Sequence, residues 1–150
     1  MSNMFCFQCE QTVGGKGCTV AGACGKSADT SNLQDDLTLA LINFALANQG
    51  QEITAADAQL MMEGLFTTIT NVSFDDVSLN KLVAKVEAAA ATKRAANKVV
   101  VHSVISQGDQ LFAGDPDVVS LRSLLLLGLR GMAAYAYPAL MLDKMDAEVT

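Results

Sequence analysis

All four cysteines of this 150-residue chain fall within nineteen residues, as Cys6-x2-Cys9-x8-Cys18-x5-Cys24, and none follows. Scattered structural cysteines do not cluster in this way, whereas joint ligation requires it. In a cubic iron–sulfur cluster each of four irons takes one thiolate, so a close pair spans neighbouring irons and the other two ligands wrap the remaining faces. Five of the eleven glycines (Gly14, Gly15, Gly17, Gly22 and Gly25) lie with them in residues 1–31. They let backbone pass close to a cube and leave N–H groups able to point at sulfur. A [2Fe–2S] cluster also takes four thiolates, so the count leaves nuclearity open. Three plainer readings compete. Structural zinc usually uses two tight cysteine pairs, and here five residues separate Cys18 from Cys24. Two disulfides suit a secreted chain, and the first residues carry no basic segment followed by a long apolar run. Four buried free thiols would act as small hydrophobes. The spacing and the glycines together favour an iron–sulfur cluster held by Cys6, Cys9, Cys18 and Cys24.

The rest of the chain reads as all-α: a cysteine-rich cluster-binding loop over residues 1–31, then a helical bundle over 32–150. Hydrophobic residues make up 51% of the sequence and charged residues 17%, enough apolar surface for a core. With two prolines, few aromatics and much Ala and Leu, helices are favoured over a β-sandwich. Leu33, Leu37, Leu41 and Phe44 share a face of a first helix predicted over Asn32–Asn48, with Ser31 and Gln34 as a capping box and Gly50 as the stop. A second helix follows the cap Thr54 and carries Leu60, Met61, Leu65 and Ile69, fraying near Asn71. A third starts near Ser73–Asp75, shows Leu79, Leu82, Val83 and Val86, and runs toward Lys98. The segment Val99–Ile105 is read as helix, although its β-branched residues also suit a strand. Gln107–Asp115 reads as a loop, and Asp115-Pro116 opens a last helix that should run to about Tyr135, with Pro138 ending or kinking it. Gly128 and Gly131 on it are expected to admit a close neighbour.

A net charge of −6 and a pI near 4.5 argue against nucleic acid and against a polybasic membrane anchor. Arg122 and Arg130 interrupt the most apolar stretch, so no membrane span is expected, and a cytoplasmic protein is the default. Asp35-Asp36 and Asp75-Asp76 are read as first-turn acids that complement helix dipoles. Met61, Met62 and Met132 are expected in the core, and His102 is read as a packing or surface residue. Glu10 reads as a solvated carboxylate. Lys16 and Lys26 flank the cysteines and are read as ordinary solvated lysines, although their charge has the right sign to offset four thiolates.

The chain resembles the hybrid-cluster proteins, or hydroxylamine reductases. The resemblance rests on Met4–Thr12, Gly17–Thr19, Gly22–Lys26 and Thr30–Asp35, then on Glu63–Asn71, Ser120–Leu125 and Gly128–Ala136. The compact cysteine spacing is similar to the class in that family that implies a [4Fe–4S] cluster; a longer spacing goes with [2Fe–2S]. The resemblance implies a domain of three-helix bundles with the cubane near its surface. It implies reduction of hydroxylamine to ammonia or of nitric oxide to nitrous oxide, with an NADH-dependent reductase or a ferredoxin as electron donor. In that family a hybrid iron–sulfur–oxygen cluster, held by later domains through His, Cys and Glu ligands, does the catalysis. This chain resembles roughly the first third of those proteins and has no fifth cysteine and one histidine. No catalytic residue is therefore assigned within it, and the missing catalytic domains are its expected partners. The expected role is an electron-entry module; a stand-alone [4Fe–4S] carrier and a zinc-stabilised helical interaction module are the alternatives.

Overall fold

The computed structural model describes residues 4–9, 11, 13–97 and 113–144. Among them are four α-helices and no strand: α1 (Ala28–Ala47), α2 (Ala55–Thr67), α3 (Asp76–Ala96) and α4 (Pro116–Met141). The all-α expectation holds. Helix α1 packs along α3, α4 lies along α2, and α2 also touches α1 and α3. The core forms where α1 meets α3: Leu37, Leu41 and Phe44 on one side, Leu79, Leu82 and Val86 on the other, with Leu60 of α2 closing it. The spacing of three and four residues puts these side chains on single helix faces.

Caps fix the register of each helix. Helix α1 begins four residues before its predicted start, because Ser27 and not Ser31 is the cap; its hydroxyl accepts the N–H of Thr30 at 3.0 Å. Ser31 and Gln34 are consequently buried inside the helix. Asp35 and Asp36 then lie at the start of the third turn, too deep to serve the helix dipole, and Asp29 is the first-turn acid. Thr54 caps α2 in a capping box with Asp57, whose carboxylate also takes Lys93 of α3 at 2.5 Å. Asp76 occupies the first turn of α3 as expected, whereas Asp75, read as a second first-turn acid, is its cap. The segment Val99–Ile105, His102, Glu10 and residues 107–112 lie outside the described residues.

Three expectations about α4 change. The helix continues through Pro138 to Met141, since a proline near the helix end removes one hydrogen bond and leaves less than a turn to hold. Gly128 and Gly131 face open space among the described residues, and Met132 is 56% exposed instead of core. The helix is also long and apolar enough, by length and composition, to cross a membrane, and only 17% of that window is buried within the chain. Its inner face is a protein contact: Phe66 and Tyr137 stack with centroids 5.1 Å apart, and Arg130 reaches into the interior.

The glycine that does permit close packing is Gly64 on α2. A Cβ there would stand 2.5 Å from Cδ2 of Leu41, itself 2% exposed and part of the core. Gly64→Ala should therefore destabilise the fold by about 1–3 kcal/mol through overpacking. A urea titration checks this, and an unchanged midpoint would mean that Leu41 yields without cost.

Candidate metal centre

The cysteine segment folds as two successive turns ahead of α1. Cys6 and Cys18 form an isolated antiparallel bridge, in which the N–H of Cys6 donates to the carbonyl of Cys18 at 3.0 Å and the N–H of Cys18 to the carbonyl of Cys6 at 2.8 Å. Residues opposed in such a pair send their side chains to the same side, so two of the four sulfurs start as neighbours. The chain between them reverses through a 3-10 turn at Val13–Gly15. The second turn is closed by Gly25 N–H to the Gly22 carbonyl at 2.9 Å and Gly22 N–H to the Lys26 carbonyl at 2.8 Å. Gly25 takes φ +90°, which favours glycine, and a Cβ at Gly22 would lie 3.0 Å from Sγ of Cys24. The sulfur of Cys24 thus sits over bare backbone.

Cys18 is buried, and Cys6, Cys9 and Cys24 are half-buried; no disulfide joins them. Backbone N–H groups of Ala23 and Val13 hold the Cys18 thiol below its ordinary value, against burial and with help from the charge of Lys26. Among the described residues, no three Cys, His, Asp or Glu groups converge on a point that could hold one metal ion. A cube makes no such demand, because it spreads its four thiolates over four irons. Four thiol donors, N–H groups aimed at one of them and glycines where the loop turns fit a thiolate-ligated cluster in kind.

Behind the loop lies a group of buried polar side chains that the sequence reading did not assign. Lys16 is exposed as expected, but Lys26 is 1% exposed. Its ammonium donates to Oε1 of Gln34 at 2.5 Å and stands 4.0 Å from Sγ of Cys6. Gln34 donates in turn to the carbonyl of Ser73 at 3.0 Å. One turn of α1 further on, Arg130 of α4 donates to Thr38 at 2.9 Å and Thr68 at 3.0 Å. Burial lowers its guanidinium from the ordinary value, while Asp35 and Cys6 act in the opposite sense. Burial also pushes Asp35 up to about 6, although Arg130 and Lys26 oppose it. The only trace of this group in the sequence is placement: Lys26 two residues after the last cysteine, and an arginine set in an apolar helix.

The fold and the loop together define an all-helical domain whose amino-terminal thiols suit a metal–sulfur cofactor. The chain belongs to the Prismane/CO dehydrogenase family, whose model matches residues 4–150. It is 35% identical to a hydroxylamine reductase of Halothermothrix orenii, 34% to one of Methanocella arvoryzae and 38% to one of Desulfitobacterium hafniense strain DCB-2. Those alignments cover 97–98% of this chain but 31–32% of each relative, so the chain spans about a third of the length of the curated relatives it matches. The family supports a metal–sulfur cofactor, in agreement with the donor set.

Proposed function

We propose that Cys6, Cys9, Cys18 and Cys24 hold a [4Fe–4S] cluster and that this domain is the electron-entry module of a hydroxylamine-reducing protein. The observation that carries the reading is the Cys6–Cys18 bridge, which pairs two thiols on a glycine-lined loop with N–H donors trained on one of them. Such a cluster supplies reversible one-electron transfer when bound. The residues of this chain provide the rest. The bridge fixes the spacing of Cys6 and Cys18, the Gly22–Lys26 turn presents Cys24, and the helical core anchors the loop through Lys26 and Gln34. The donor in this reading is a cytoplasmic NADH-dependent reductase or a ferredoxin. The acceptor is a hybrid cluster whose ligands come from other domains, since these residues offer no fifth cysteine. The likeness to proteins named hydroxylamine reductase supports the substrate.

Oxygen-free reconstitution of the chain with ferrous salt and sulfide is the test. The expected product is brown, carries about four irons and four acid-labile sulfides per chain, and bleaches with dithionite. Absence of labile sulfide sinks the reading, and a colourless chain with about one zinc transfers the site to structural zinc. Hydroxylamine turnover by this chain alone would contradict the placing of the catalytic ligands elsewhere.

A further inference from the structure

Lys26 is a fully buried ammonium, and among the described residues no carboxylate forms an ion pair with it; the ion pairs found there are Lys85–Glu63 and Lys93–Asp57. A buried charge needs a counter-charge or a full set of hydrogen bonds. Its hydrogen-bond partner is neutral Gln34, itself 1% exposed and pinned by the Ser73 carbonyl; the sulfur of Cys6 stands 4.0 Å away, and the carboxyl of Asp35 acts on it through space without an ion pair. The position is also crowded, because a Cβ at Gly22 would meet the backbone nitrogen of Lys26 at 3.2 Å. The lysine is therefore held beneath the cysteine loop by packing at its base and by Gln34 at its tip. Arg130 adds a second, more distant positive charge that acts on Cys6.

Resting on the cluster reading above, we infer that Lys26 is a positioning residue whose charge, clamped by Gln34 behind Cys6, raises the reduction potential of the group held by the four cysteines. Reduction places one more electron among four thiolates, with no bond made or broken. A fixed cation in a water-poor site favours the more negative state. Lys26 acts through the thiolates, standing nearest Cys6 and also favouring ionised Cys18, and its role is electrostatic, distinct from ligation.

The experiment is a dithionite titration of the reconstituted chain, followed by visible absorbance and electron paramagnetic resonance, on wild type, Lys26→Met, Lys26→Gln and Lys26→Arg. Iron and sulfide content is measured alongside. The neutral variants should shift the reduction equilibrium toward the oxidised form by tenfold or more, a fall of at least 59 mV for one electron, and Lys26→Arg should stay nearer wild type. A smaller shift in a cluster-bearing neutral variant overturns the inference, as does an equal fall in Lys26→Arg. Should both neutral variants lose the cluster, retention by Lys26→Arg supports the role of charge, and loss there too overturns it in favour of packing. Wild type without labile sulfide is a different result, and it refutes the cluster itself.

Discussion

Cys18→Ser should take up less than about a tenth of the labile sulfide that wild type binds, with its helix content unchanged. The two halves of this expectation have separate causes. Cys18 is the one buried cysteine of the four, bridged through both its N–H and its carbonyl to Cys6. The N–H groups of Ala23 and Val13 favour its thiolate, and a serine hydroxyl at the same place stays protonated and binds iron poorly. The helices depend on none of this, since the core is built from α1, α2 and α3. Cys9→Ser offers the comparison. Cys9 is half-buried where Cys18 is buried, so its replacement should leave more residual cluster than Cys18→Ser. Iron and sulfide analysis with far-ultraviolet circular dichroism checks both. Equal cluster content in Cys18→Ser and wild type would remove Cys18 from the ligand set.

Most helix boundaries are legible in the chain because local rules decide them, and of the four cysteines the structure pairs Cys6 with Cys18. Thr54 and Asp115-Pro116 open their helices where cap chemistry places them, and Leu37, Leu41 and Phe44 form the buried face that their spacing predicts. The start of α1 is misread because Ser27 and Ser31 are equally good caps by type. The choice is made by tertiary contacts: Gln34 is drawn inward by Lys26 and Ser73, and Thr30 bonds Asp76 at 2.7 Å. Reading Lys26 as a solvated lysine and Asp35 as a first-turn acid fails for the same reason. A lysine or an aspartate is exposed by default, and only partners distant in sequence make burial tolerable. Here those partners arrive from α1, from the turn before α3 and from α4. Pro138 shows the converse, a strong local signal that acts too close to the helix end to stop it at Tyr135.

The polar seam between α1 and α4 gives the second large effect, one on stability. The Asp35 carboxyl is raised from 3.8 to about 6 by burial, so the folded chain holds this proton more tightly than the unfolded one. The resulting stabilisation is complete below about pH 3.8 and is lost as pH rises through about 6. The interval corresponds to roughly 3 kcal/mol. Asp35→Asn removes this loss, so the variant should exceed wild type by up to that amount at pH 7.5, and by much less at pH 4. Arg130→Met acts the other way. It deletes the donors to Thr38 and Thr68 and the positive charge that favours ionised Asp35, costing about 3–5 kcal/mol near neutrality. Because part of that cost is the stranded carboxylate, Asp35→Asn should recover more stability in the Arg130→Met background than in wild type. Urea unfolding of the four proteins at both pH values measures the coupling. A rescue of the same size at pH 4 and pH 7.5 would mean that the charge of Asp35 plays no part in holding α4 against α1.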